Sequence, residues 1–358
     1  MKRYFLLLLL LVAGVFSTRA QETYFTIDDM PDLVKCLPAP PDTTSLGFAH
    51  DVMRYMWGKT MRSDAARAAI AARDAIWDLD TLAAIFSEPF GVWIDKEKTP
   101  EIYKAFVQGV HTIELIRIRP KAHFMRKRPF DRFQEHMYTT WEEDELRGEG
   151  SYPSGHTIRG WSAALVLAEI NPEAANDLYA RGWEYGESRV IVGAHWQSDV
   201  DASRPAASIG YALLQTSPAY RAQMDKARAE FATAPRIPTV ASMAEDLWTY
   251  SQSHPDGFTL NISTWEVPKE GIAVAYSATQ DAHDKADLEF VVSHAQAHGG
   301  YVGGWQDSES GQYYFDSVRI FPVDSLAQAR QFGRENQQKA IYNLSTGKEI
   351  RLPVRRTR

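Results

Sequence analysis

The sequence predicts an all-α helical bundle followed by a small α+β domain, and three observations carry that reading. From about Thr44 to Phe231, Ala, Leu, Met, Arg and Glu recur at spacings of three and four, and strand signals are scarce. The stretch Thr233-Ala-Pro-Arg-Ile-Pro-Thr-Val240 then sets two prolines close together, which ends a helix and marks a boundary. Beyond it, aromatic and β-branched runs alternate with short helical ones.

In chain order, residues 1–20 read as a secretory signal peptide. Lys2 and Arg3 precede an apolar stretch of thirteen residues from Tyr4 to Phe16, and Ala20 stands before Gln21. That stretch is short of the roughly 20 residues a bilayer span needs. The expected product is a soluble chain, periplasmic or secreted, with no membrane span. Losing Lys2, Arg3 and Arg19 with the leader takes the formal charge from −7 to −10. An acidic exterior argues against a nucleic-acid partner, so any site for anions must be a local basic pocket. The single cysteine, Cys36, has no internal disulfide partner and is expected as a small packed residue.

Helical stripes are expected over Ala65 to Leu79, Pro100 to Ile116, Thr157 to Ile170, Pro172 to Val192 and Trp196 to Leu214, giving a helical domain over 21–235. Residues 236–358 form the linker and accessory domain. Strands are expected at Phe258 to Thr264, Ile272 to Ala278, Tyr301 to Trp305, Tyr313 to Phe321 and Ala340 to Leu344, with helices near Ala286 to His298 and Ser325 to Gln337.

Three segments of the helical domain carry chemistry. In the first, Lys121 and Arg128 are seven residues apart, about two turns if one helix spans them, so both cations can face one anion, with Pro129 ending that helix. In the second, Gly150-Ser-Tyr-Pro-Ser-Gly-His-Thr157 puts Ser154, the Gly155 N–H and His156 at a helix start, a cradle for an anion. In the third, Arg189 is followed by His195 and, four residues on, Asp199. A carboxylate one turn away can hold the Nδ1–H and leave Nε2 free as a nucleophile.

Taken singly, each segment has a plainer reading as a basic face, a serine cap or a surface ion pair. Together, in this order and spacing, they resemble the type 2 phosphatidic acid phosphatase superfamily, and most closely the bacterial class A non-specific acid phosphatases. The resemblance covers Tyr24 to Ala232, and it also rests on Leu37-Pro-Ala-Pro-Pro41 and on His195-Trp-Gln-Ser-Asp-Val-Asp201. It implies that Lys121, Arg128, Ser154, Gly155 and Arg189 hold phosphate oxygens. His195 would attack phosphorus to form a phosphohistidine, Asp199 would orient it, and His156 would move the proton. It further implies small phosphomonoesters as substrates, phosphotransferase side activity, no metal or other cofactor, and inhibition by phosphate or vanadate. It is compatible with a homo-oligomer.

Two other readings compete with a secreted acid phosphatase. One is a vanadium-dependent haloperoxidase, since the residues that grip phosphate also grip vanadate. The other is a cell-envelope binding protein with a vestigial phosphatase domain. Weaker signals receive ordinary readings: His294 and His298 as a solvated helix face, Asp307 to Gly311 as a hairpin turn, and the acidic run Glu142 to Glu145 as solvated.

Overall fold

The computed structural model describes residues 23–307 and 310–353, so the expected leader lies outside the described residues. The chain divides into two compact units, Met1–Ile237 and Pro238–Arg358. Among the described residues no helix is long and apolar enough to cross a membrane.

The first unit is helical: α1 (Leu46–Met61), α2 (Ala65–Arg73), α3 (Leu79–Phe90), α4 (Pro100–Glu114), α5 (Ile118–Phe124), α6 (Pro129–Phe133), α7 (Glu143–Leu146), α8 (Gly155–Ile170), α9 (Ala175–Ile191), α10 (Gln197–Leu214) and α11 (Pro218–Thr233). Short polar side chains start many of them. Ser45, Asp64, Asp78, Ser154 and Ser217 each accept a backbone N–H from the first turn of α1, α2, α3, α8 and α11. The core is the apolar stripes of α3, α4, α8 and α11, with Phe86, Phe106, Leu167 and Tyr220 fully buried. Helices α8 and α9 pack closely because Gly160 faces the Tyr185 ring, and a Cβ there would collide with it.

Three expectations need correction. The helix expected over Ala65 to Leu79 breaks after Arg73, because Asp78 serves better as the cap that starts α3 than as an interior residue. Lys121 and Arg128 do not share a helix. Met125 adopts a left-handed conformation (φ 40°) that closes α5, and Pro129 opens α6, since proline suits the first helical position. Cys36 is exposed, because the turn it occupies points Leu33 and Leu37 inward instead.

The second unit holds α12 (Val240–Gln252), β1 (Phe258–Asn261), β2 (Ile272–Ala275), α13 (Leu288–Ala297), β3 (Tyr301–Gln306), β4 (Tyr313–Phe321), α14 (Leu326–Glu335), β5 (Ala340–Asn343) and β6 (Lys348–Arg351). Its antiparallel sheet runs β1-β3-β4-β2-β5-β6. Helices α12 and α13 close one apolar cluster around Leu247, Leu260, Val291 and Phe315. Helix α14 covers another around Ile272, Val274 and Ile341. The unit is α+β as expected, but α12 and β6 were not read from the sequence. His294 and His298 stack on each other at 4.0 Å beside Tyr276.

Candidate active site

The segment between α5 and α6 and the segment leading into α8 lie against each other. Ser151 donates its N–H to Arg126 O at 2.9 Å, and Lys121 Nζ donates to Gly150 O at 2.6 Å. Glycine is required at 150, since a Cβ would stand 2.5 Å from Lys121 O. The start of α8 is fastened in turn to α10, through Ser154 N to Asp199 O at 3.3 Å and Ser203 Oγ to Ser154 O at 3.0 Å. The three sequence segments therefore meet through their backbones.

His195 stands just before α10 rather than inside it. Its Nδ1 is 3.3 Å from Asp199 Oδ2, and the same oxygen accepts Trp196 N–H at 2.9 Å. On the other side of the ring, Arg128 Nη1 is 3.0 Å from Nε2. A guanidinium only donates, so Nε2 must carry its lone pair and the proton must sit on Nδ1, facing the carboxylate. Burial first, and then Arg128, Lys121 and Arg189, push the proton affinity of His195 well below its usual value.

His156, on the first turn of α8, approaches Ala75 O at 3.0 Å through Nε2, packs on Trp77, and lies 4.0 Å from Glu142 Oε1. Burial, followed by Arg189, Arg159 and His195, lowers its affinity for a proton strongly. Burial likewise pushes the Lys121 ammonium down to about 7, with Arg128 adding to the effect.

Lys121, Arg128, Gly155, His156 and His195 line one cleft of about 330 Å³, walled by Trp77, Trp141 and Leu146. That volume suits a small ester. Ser154, Arg189 and Asp199 stand behind this lining, fully buried. Ser154 caps α8, accepting from Thr157 N and Thr157 Oγ1. Arg189 is forked onto Glu142 by contacts of 2.8 and 3.2 Å.

Several residues of the site were not singled out in the sequence. Glu142 and Glu143 are buried, which corrects the reading of the acidic run as solvated: Glu142 holds Arg189, and Glu143 accepts Met137 N–H at 2.6 Å. Arg126 bridges Asp199 Oδ1 and the fully buried Asp51 of α1, and Ser198 donates to Asp51 from both N and Oγ. Glu149 sits among Arg117, Lys121 and Arg128. A glutamate in a polar stretch gives no sign of such partners, because they arrive from other helices.

A helical bundle that sets cations and two low-affinity imidazoles around one cleft, one imidazole backed by a carboxylate, is the architecture of an anion-handling enzyme. Comparison with known proteins agrees. The profile of the PAP2 superfamily matches residues 103–222, which include all eight candidate residues. A non-specific acid phosphatase of Providencia stuartii is 40% identical over 217 residues, covering 60% of this chain and 87% of that protein. That of Salmonella typhimurium is 37% identical over 223 residues, covering 62% of this chain and 88% of its own length. An acid phosphatase of Zymomonas mobilis is 33% identical over 213 residues, covering 60% and 80%. This chain belongs to the non-specific acid phosphatases of the PAP2 superfamily.

Proposed function

We propose that the helical unit hydrolyses phosphate monoesters through a phosphohistidine on Nε2 of His195. The observation that carries this reading is the pair of contacts on that ring, Arg128 Nη1 at Nε2 and Asp199 Oδ2 at Nδ1. They leave the lone pair of Nε2 at the cleft and the charge of the resulting imidazolium beside a carboxylate.

In the first step the Nε2 lone pair attacks phosphorus, the bond to the ester oxygen breaks, and that oxygen takes a proton from His156. In the second, water attacks phosphorus, gives a proton to His156, and the P–N bond returns its electrons to His195. Lys121 and Arg128, with Ser154, the Gly155 N–H and Arg189 behind them, answer the charge on the equatorial oxygens. These cations supply the electrostatic stabilisation that the mechanism needs, so it calls on no metal. Phosphate and vanadate should compete for the same seat.

Export follows from the leader read in the sequence, and transfer to acceptors other than water follows from an intermediate open to the cleft. The test is to quench turnover with acid and map the phosphorylated residue. A phosphoryl group on His195, absent in His195→Ala together with hydrolysis, is the expected result. A phosphoryl group elsewhere overturns the mechanism.

A further inference from the structure

Glu149 lies outside the three segments' charged residues, yet its carboxylate spans three cations of the cleft. Oε2 is 3.0 Å from Arg128 Nη2 and 3.7 Å from Lys121 Nζ, and Oε1 is 3.1 Å from Arg117 Nη1. Two oxygens shared among three donors is how a phosphoryl group would engage the same side chains. The cations are fixed. Arg128 also donates to Leu146 O and Glu149 O, Lys121 to Gly150 O, and Arg117 to Glu114 Oε1.

The carboxylate is the movable partner. Its side chain is 41% exposed, against 6% for Lys121 and 2% for Arg128, so it stands at the mouth of the cleft while they form its floor. Its backbone is tied independently of the side chain, with N–H to Leu146 O at 3.2 Å and C=O to Arg128 Nε at 3.2 Å. The side chain can therefore rotate outward without moving the chain. Burial raises the carboxyl's proton affinity, but Lys121, Arg128 and Arg117 outweigh it and keep Glu149 ionised below the usual carboxylate range.

We propose that Glu149 is an internal competitor for the phosphate seat. Its carboxylate pairs with Arg117, Lys121 and Arg128 in the resting enzyme, swings to the mouth when the phosphoryl group enters, and returns to those cations as inorganic phosphate leaves. This rests on the proposed reading of the cleft as a phosphate site. Its role is to keep product from holding the enzyme: a dianion on these cations with no internal competitor would leave slowly, whereas here each lost contact is replaced by an internal one.

The test uses the full chain with Glu149→Gln and Glu149→Ala, and calorimetric binding of inorganic phosphate at one fixed pH, alongside KM, kcat and product inhibition. Removing a charge-assisted competitor should tighten phosphate binding by about tenfold in both variants. KM and the product inhibition constant should fall with it, and kcat should not rise. Unchanged or weaker phosphate binding overturns the proposal. So does tightening in the Gln variant alone, which would report a new amide donor, and so does an absence of phosphate binding in wild type and both variants. Should His195→Ala retain hydrolysis, the catalytic assignment falls, while the phosphate titration still decides the role of Glu149.

Discussion

Arg128 Nη1 donates to His195 Nε2 across 3.0 Å, so the proposed nucleophile rests against one of the groups that would hold its substrate. The arrangement keeps the imidazole neutral and in one tautomer. It also means that the hydrogen bond from Nη1 must be given up before the Nε2 lone pair could attack phosphorus.

Asp199 is the group that fixes the other end of that ring. Asp199→Ala removes the acceptor of Nδ1–H and the partner of Arg126, and kcat should fall by on the order of a thousandfold with KM changed far less. Steady-state kinetics on p-nitrophenyl phosphate check this. An equal loss in Arg126→Ala with recovery in Arg126→Lys would place the Arg126–Asp51 pair in the same orienting chain.

The pH dependence follows from two lowered histidine affinities and one lowered lysine. His195 is protonated and silenced only at low pH, whereas His156 loses the proton it must donate as pH rises, so kcat/KM should be bell-shaped with an acidic optimum. Burial pushes the Lys121 ammonium down to about 7, so phosphate binding should weaken above that point. Lys121→Arg keeps the charge and should flatten the alkaline fall in phosphate affinity, read by titration across pH.

The same histidines act on stability. The unfolded chain takes up protons as pH falls through about 6.5, while the folded chain resists until lower pH, so stability is lost across that window. Urea midpoints should drop from neutral to mildly acidic pH, and His195→Gln should show a smaller drop. Level midpoints would contradict the buried, neutral histidines.

Gly150→Ala tests the join between the first two segments. A Cβ 2.5 Å from Lys121 O must push α5 or the cradle aside. A loss of about 1–3 kcal/mol is expected, seen as a lower melting temperature together with a higher KM.

The two units have separate cores. A chain ending at Pro238 should keep hydrolysis at the level of the whole. The cut belongs there rather than after Pro235, because Arg236 pairs with Val92 and Ile237 donates to Gly91 O at 2.9 Å.

The gathering of Lys121, Arg128, Gly155, His156 and His195 at one cleft was legible in the sequence because the segments' residue types and spacings are specific, and the backbone joins that unite them use residues within those segments. The helical periodicity gave the bundle. What escaped was of two kinds. Met125 takes a left-handed conformation usually left to glycine, so nothing marked the end of α5. Glu142, Glu149, Arg126 and Asp51 acquire meaning only from partners 47, 21, 73 and 75 residues away, and one sequence shows no such pairing.

The outward placement of Cys36 has a practical side. The chain has one thiol, and it is exposed. Its only route to a disulfide is through a second molecule, so an oxidising milieu would register as a covalent dimer on a non-reducing gel. A maleimide dye would mark the helical unit at a single known point without any engineered residue.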